Sequence, residues 1–393
     1  MVAESIYMTL LEVSILILLA DLVGASLVRF GFPRVVGELL VGITLSPFAV
    51  GGLLNNLLHM NLFVINDYLL FLANFSVILL LFASGLEHGL STLREGGVYG
   101  VLAAVFGAIV PFALVYYVLR FLGVGYVAAL MVSLSTAPTS LAVVASVIER
   151  EGLGGLPSTK VLVTSASIDD VVALIMLSMV STLISGSQGF GAWFNALGIL
   201  ALWVFIFSIS VLLFPRLLNM VSEQSILYVA MVLLFGLVLA MTLLGFSEII
   251  AAFIAGVAVA ESRCSARIDE AVNVLLAIFG SIFFISMGLQ LDLTYLTHLW
   301  VLFIGVVVSL VAALAKVIGI FPFAYMRLRN VHEALLVSYG MIPRGEMGLV
   351  VASLALGSGL ISMSDFGVII IMVLITTVLG STIYRHRALL LRG

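Results

Sequence analysis

The stretch V-L-V-T-S-A-S-I-D-D-V-V-A-L-I-M-L-S-M, Val161 to Met179, is apolar enough to span a bilayer, yet it carries two adjacent carboxylates, Asp169 and Asp170, near its middle. A charged side chain at the bilayer centre costs about 2.5–3.5 kcal/mol on insertion scales, and an intramembrane acid marks an ion or proton pathway by default. The rest of the chain has the same character: of its 393 residues 63% are hydrophobic and 9% charged, with a mean hydropathy of +1.33. Soluble domains carry about 25% charged residues. The composition therefore excludes a soluble globular protein and predicts an all-α polytopic membrane protein. One cysteine, Cys264, leaves no disulfide or cysteine–metal framework. The five histidines (His59, His88, His298, His332 and His386) fall at expected span ends, which argues against a histidine-rich metal site. No cofactor and no nucleic-acid partner are expected. Met1 leads into a long apolar run without the basic n-region and small-residue cleavage site of a secretory signal, so this first segment reads as retained.

Cutting the chain into apolar runs of about 20 residues predicts thirteen transmembrane helices. They lie near 5–29, 35–57, 67–87, 97–121, 125–149, 158–185, 192–221, 225–244, 246–261, 269–291, 298–326, 331–357 and 364–385. With the amino terminus outside, the cytoplasmic loops hold Arg29, Arg34, Arg94, Arg150, Lys160, Arg216, Arg263, Arg267, Arg327, Arg329, Arg385, Arg387 and Arg392, thirteen of the sixteen basic residues. External loops hold only Arg120, and Lys316 and Arg344 lie within spans. This asymmetry obeys the positive-inside rule and places the carboxyl terminus in the cytoplasm of a multi-pass protein of the cell membrane. The fifth span contains S-L-S-T-A-P-T-S (Ser133 to Ser140) around Pro138, and the twelfth contains Y-G-M-I-P-R-G-E-M-G (Tyr339 to Gly348) around Pro343. Seven spans apart, the two run in opposite directions. Matched breaks of this kind are the signature of two inverted repeats with discontinuous helices at a binding site, here spans 1 to 6 and 8 to 13 joined by span 7. A proline removes one helix hydrogen bond and frees a carbonyl; the bland alternative is two ordinary kinks.

Charged residues near mid-span are few: Asp169 and Asp170, Lys316 on span 11, and Arg344 with Glu346 at the second break. Neighbouring helix residues point about 100° apart, so Asp169 and Asp170 address different partners. Lys316, in L-A-K-V-I-G on the repeat counterpart of span 4, is the expected counter-ion of Asp169. Asp170 is then the carboxylate that holds either a proton or a hard cation, and Ser135, Thr136, Thr139 and the carbonyls near Pro138 are candidate oxygen ligands, since hard cations favour oxygen. The bland reading of Asp169 and Lys316 is a static pair joining two helices. Arg344 and Glu346 pair with each other or with backbone at the break, and a structural role is expected for both. Glu12, Asp21, Glu38, Glu87 and Glu248 read as solvated or interfacial, with Glu38 a possible lining of an access funnel.

The segments V-G-E-L-L-V-G-I-T-L-S-P-F (Val36 to Phe48), S-T-A-P-T-S, S-I-D-D-V-V-A-L (Ser167 to Leu174), F-F-I-S-M-G-L-Q-L-D (Phe283 to Asp292), A-K-V-I-G (Ala315 to Gly319) and P-R-G-E-M-G-L-V (Pro343 to Val350) together resemble the monovalent cation/proton antiporters over nearly the whole chain. The double aspartate with an intramembrane lysine is similar to the electrogenic bacterial and archaeal sodium/proton antiporters. That resemblance implies that Asp170 binds sodium or a proton while Asp169 pairs with Lys316. The electroneutral branch carries Asn-Asp here with a Glu four residues before the Asn, and Thr-Asp at the first break. This chain has Asp169, Ser165, Thr136 and Ala137 at those positions. The resemblance also implies a homodimer. Residues 1–96 and 224–296 would form the dimer domain, 97–190 and 297–393 a moving ion-transport core, and 191–223 a linker helix. Potassium-exchanging relatives often add a nucleotide-binding domain after the last span, so the ending of this chain leans towards sodium.

Taken together, these readings predict sodium/proton antiport by alternating access. A potassium/proton antiporter and a sodium-coupled solute symporter are the alternatives. An intramembrane aspartyl protease needs two acids that face each other to share a proton, which adjacent helix positions do not provide.

Overall fold

The computed structural model describes residues 2–87, 89, 97–185 and 190–390. His88, Arg94 and Arg392, which entered the histidine and charge readings above, lie outside the described residues. Among the described residues every regular element is a helix and there is no strand. In chain order the helices are α1 Val2–Arg29, α2 Arg34–Thr44, α3 Val50–Leu58, α4 Asp67–Glu87, α5 Gly97–Phe121 and α6 Tyr126–Leu134. There follow α7 Leu141–Arg150, α8 Pro157–Ser185, α9 Phe190–Asn219, α10 Ile226–Leu243, α11 Glu248–Ala260 and α12 Ser265–Gln290. The last are the single turn α13 Leu293–Leu296, then α14 Leu299–Leu328, α15 Val331–Gly340, α16 Glu346–Gly357 and α17 Met363–Leu390. Nine described helices are long and apolar enough to cross a membrane: α1, α4, α5, α8, α9, α10, α12, α14 and α17. Each expected span falls on one helix or on two consecutive ones.

Spans expected at 125–149 and 331–357 are interrupted at 135–140 and 341–345, around Pro138 and Pro343. A third interruption, at 45–49 between α2 and α3, divides the span that the sequence reading left whole at 35–57. Pro47 explains it. A proline disfavours the helical conformation at the residue before it and lacks an N–H of its own. The hydroxyl of Ser46 turns outward to donate to the carbonyls of Leu289 (2.8 Å) and Leu291 (3.2 Å), and accepts the N–H of Phe48 at 3.2 Å.

The chain forms two compact units. One comprises Met1–Leu69, Gly96–Ala173 and Phe284–Gly393. Within it α1 and α2 approach closely enough that a Cβ on Gly37 would lie 2.8 Å from the Cα of Gly24. Glu12 on α1 is not interfacial, as its position near a span end suggested, but 1% exposed. Its carboxylate accepts the N–H of Val64 at 3.0 Å and so holds the loop before α4. Glu38 is likewise buried and lies 3.4 Å from Arg34 Nε. In the same unit α5 and α14 touch backbone to backbone at Gly107 and Gly319, where a side chain on Gly319 would strike the carbonyl of Phe106.

The other unit comprises Leu70–Glu95 and Leu174–Phe283. Its centre is α11, buried without interruption from Ile249 to Val259. Serine caps its start: Ser247 accepts the N–H of Ile249 at 3.3 Å. Gly256 faces Gly85 of α4, and a Cβ on Gly256 would fall 2.9 Å from the Gly85 Cα and closer still to the Phe82 carbonyl. Helices in membranes gain most of their association from such close approach, because lipid is as apolar as leucine. Overpacking of a tight contact costs about 1–3 kcal/mol or more. Gly256→Val is therefore expected to lower the thermal unfolding midpoint of the detergent-purified protein clearly, whereas Gly236→Ala, which meets open space, leaves it unchanged.

Candidate ion-binding site

The two proline breaks meet. The N–H of Ser140, the last residue of the first break, donates to the carbonyl of Pro343 at 2.9 Å. The hydroxyl of Thr139 lies 3.3 Å from the carbonyl of Met341, which it can donate to. Glycine makes the approach possible on the second side: a Cβ on Gly348 would lie 2.8 Å from the Ser135 carbonyl, and one on Gly345 would collide with the Ser140 hydroxyl. From α17, Gly380 leaves room for the ring of Pro343 and Thr377 donates to the carbonyl of Arg344. Backbone groups freed by the prolines thus find partners on the opposite break, the condition for non-helical chain at membrane depth.

Five ionisable side chains gather around this junction. Asp169, Lys316 and Arg344 are 0% exposed, Asp170 2% and Glu346 9%. Lys316 Nζ lies 2.8 Å from Asp169 Oδ2 and donates at 2.7 Å to the carbonyl of Ala137, one of the groups released at the first break. The Thr139 hydroxyl donates to the same Asp169 Oδ2 at 2.6 Å. One carboxylate is thereby fixed by a charge from α14 and a hydroxyl from the first break. Charge-assisted bonds of this kind are roughly twice as strong as neutral ones, and a buried pair survives only with such additional bonds. Lys316 fits at full length because Gly107 stands opposite it, with a Cβ there only 3.8 Å from Lys316 Cε and 2.9 Å from Ile320 Cγ1.

The other candidate residues divide by what they touch. Ser135 and Thr136 donate their hydroxyls to their own helix, to the carbonyls of Val132 (2.7 Å) and Ser133 (2.6 Å), which leaves only oxygen lone pairs for a cation. Thr139 is engaged with Asp169. Asp170 follows Asp169 on α8 and is buried in the same region. Arg344 and Glu346 do not form an ion pair with each other among the described residues. Arg344 Nη1 instead donates to the carbonyls of Pro138 and Met341, both at 3.1 Å, so that one guanidinium ties the two breaks together. Glu346, at the start of α16, accepts from the Ser140 hydroxyl at 2.8 Å.

Several contributors carry no charge and escaped the sequence reading. Ser140 caps α7 and holds Glu346; Ala137 contributes only a carbonyl; Gly107 contributes only space. Ser140 was visible as the last residue of S-T-A-P-T-S, where a serine before an apolar run is a helix-start signal. The Ala137 carbonyl fell among those expected to be freed near Pro138, though not as the partner of Lys316; Gly107 had no signal of its own, since the chain has 36 glycines.

Comparison with known proteins agrees with this architecture. The family described as "Sodium/hydrogen exchanger, transmembrane" matches residues 14–386. A Na(+)/H(+) antiporter of Enterococcus hirae is 28% identical over 379 residues, covering 94% of this chain and 96% of that protein. The Na(+)/H(+)-K(+) antiporter GerN of Bacillus cereus is 27% identical over 386 residues, covering 95% of each. Among solved structures, the sodium proton antiporter MjNhaP1 from Methanocaldococcus jannaschii shares the fold, with a TM-score of 0.74, 16% identity and 99% of both chains covered. With two meeting helix breaks around a buried acid–lysine pair and a family match over almost its entire length, this chain belongs to the transmembrane sodium/hydrogen exchanger family.

Proposed function

We propose that the protein exchanges sodium for protons by alternating access, with the two cations competing for Asp170. The observation that carries this reading is the buried Asp169–Lys316 pair at the junction of the two breaks, 2.8 Å apart. It leaves the second aspartate beside a neutralised first one. Coupling follows from charge: a bare carboxylate resists transfer across an apolar barrier, so the transport core moves only when Asp170 holds sodium or a proton. The division into a dimer domain (residues 1–96 and 224–296) and a moving core (97–190 and 297–393), the homodimer, the cell membrane and the cytoplasmic carboxyl terminus belong to the same proposal. Oxygen ligands from Thr139, Ser135 and Thr136 complete the sodium shell. Lys316 supplies the route to electrogenic exchange: if it yields its proton when Asp169 changes partner, two protons exchange for each sodium.

A second reading replaces sodium with potassium. The name of the Bacillus cereus relative includes both cations, and that protein matches over 95% of each chain. Length does not separate the two readings.

In proteoliposomes, a sodium gradient should drive proton movement that Asp170→Asn reduces to the background of empty vesicles; normal exchange by this variant would remove Asp170 from the site. Adding lithium, sodium and potassium in turn separates the two cation readings. A membrane potential should speed or slow turnover according to its sign, and exchange indifferent to potential would exclude electrogenic transport. Lys316→Gln leaves the Asp169 carboxylate buried without its cation, and breaking a buried pair costs about 3–5 kcal/mol. Its unfolding midpoint should therefore fall well below wild type, and the double variant Asp169→Asn/Lys316→Gln should recover most of the loss.

A further inference from the structure

Away from the ion site, α15 and the last turns of α17 enclose a cavity of about 290 Å³ lined by His332, Leu335, Leu336, Tyr339, Arg387 and Leu390. The four α15 residues stand at positions i, i+3, i+4 and i+7, one face of a helix, with a polar residue at each end and two leucines between. Arg387 and Leu390 close the cavity from α17 in the same alternation of cation and apolar side chain. Among the described residues the side chains of His332, Arg387 and Tyr339 take part in no hydrogen bond or ion pair. Glu333 adjoins His332 but is not among the lining residues. Glu151, the carboxylate that binds Arg385 two residues before Arg387, is taken by Arg385 at 2.7 Å and Arg150 at 3.4 Å.

The rim has a mixed character. Arg327 and Arg329 end α14 beside the start of α15, and Arg385 and His386 precede Arg387. Between these charges, Val331 (46%), Leu389 (43%) and Leu390 (60%) stand exposed. Basic residues interleaved with exposed aliphatic ones suit the boundary where hydrocarbon meets headgroups, and this is the end of the helices that the charge asymmetry assigns to the cytoplasm. Basic pockets between transmembrane helices on that side bind anionic headgroups.

We infer that this cavity binds the phosphate headgroup of an anionic phospholipid of the inner leaflet. Arg387 and His332 face the phosphate, the Tyr339 hydroxyl donates to it, and the acyl chains leave along Leu335 and Leu390. The site is coupled to the ion site by chain connectivity: α15 ends at Gly340, and the carbonyl of Tyr339 accepts the N–H of Ile342 inside the second break. An occupied cavity braces the first half of that broken helix.

The test uses the full chain in detergent, with its unfolding midpoint and its retained lipid measured after addition of phosphatidylglycerol, phosphatidylcholine or inorganic phosphate. Phosphatidylglycerol should raise the midpoint and remain bound, and the other two should not. Arg387→Ala should weaken phosphatidylglycerol binding about fivefold, Arg387→Lys should retain most of it, and His332→Ala/Arg387→Ala should lose it. Both positions are exposed, and the lipid-free midpoint of each variant reports whether it folds as wild type. If Arg387→Ala unfolds without lipid, the Arg387→Lys and His332→Ala single variants carry the comparison. Equal stabilisation by phosphatidylcholine, equal stabilisation by inorganic phosphate, or undiminished binding in the double variant would overturn the assignment.

Discussion

The ammonium of Lys316 is wholly buried, and the helices and breaks around it are arranged to satisfy it there. A lone buried cation costs several kcal/mol. Its neutralisation requires a carboxylate from α8, a hydroxyl from the first break and a freed backbone carbonyl. Those groups come together only if the break around Pro138 lies between α8 and α14, and the break is tolerable only if its remaining backbone groups are bonded elsewhere. The second break supplies them. Pro343 offers a carbonyl to Ser140, and Arg344 reaches back to the carbonyl of Pro138. Charge pairing and backbone satisfaction are therefore one problem in this fold, solved by the same few residues.

Such an arrangement is stiff in some places and adjustable in others. Arg344 bonds to backbone, whose carbonyls do not titrate, and acts as a fixed clasp. Asp169 is held instead by side chains, the hydroxyl of Thr139 and the ammonium of Lys316. Asp170 sits one residue along the same helix and is also buried.

Much of this was legible because a bilayer imposes strong rules. Span positions follow from hydropathy, and each expected run coincides with one helix or a consecutive pair. The breaks at Pro138 and Pro343 were readable because each proline sits in a segment carrying polar residues, at matching places in the two halves. The break at 45–49 was not, although Pro47 marks it. Its surroundings are apolar and its compensation comes from the carbonyls of Leu289 and Leu291, more than two hundred residues away. Glu12 was misplaced for a similar reason. Position near a span end suggested water, while burial came from a loop that folds over the side chain and donates the Val64 N–H.

By itself, the sequence determined what had to be paid for in lipid: which segments are helical and apolar, where the backbone is interrupted, and which charges lie too deep to remain unpaired. Only the tertiary structure decided how each was compensated. It put Thr139 on Asp169, directed the hydroxyls of Ser135 and Thr136 to their own helix, and separated Arg344 from Glu346 by giving each a different partner. Hydropathy and proline placement are properties of a single helix in a bilayer, whereas a buried donor or acceptor is satisfied by whatever the fold brings within about 3 Å of it.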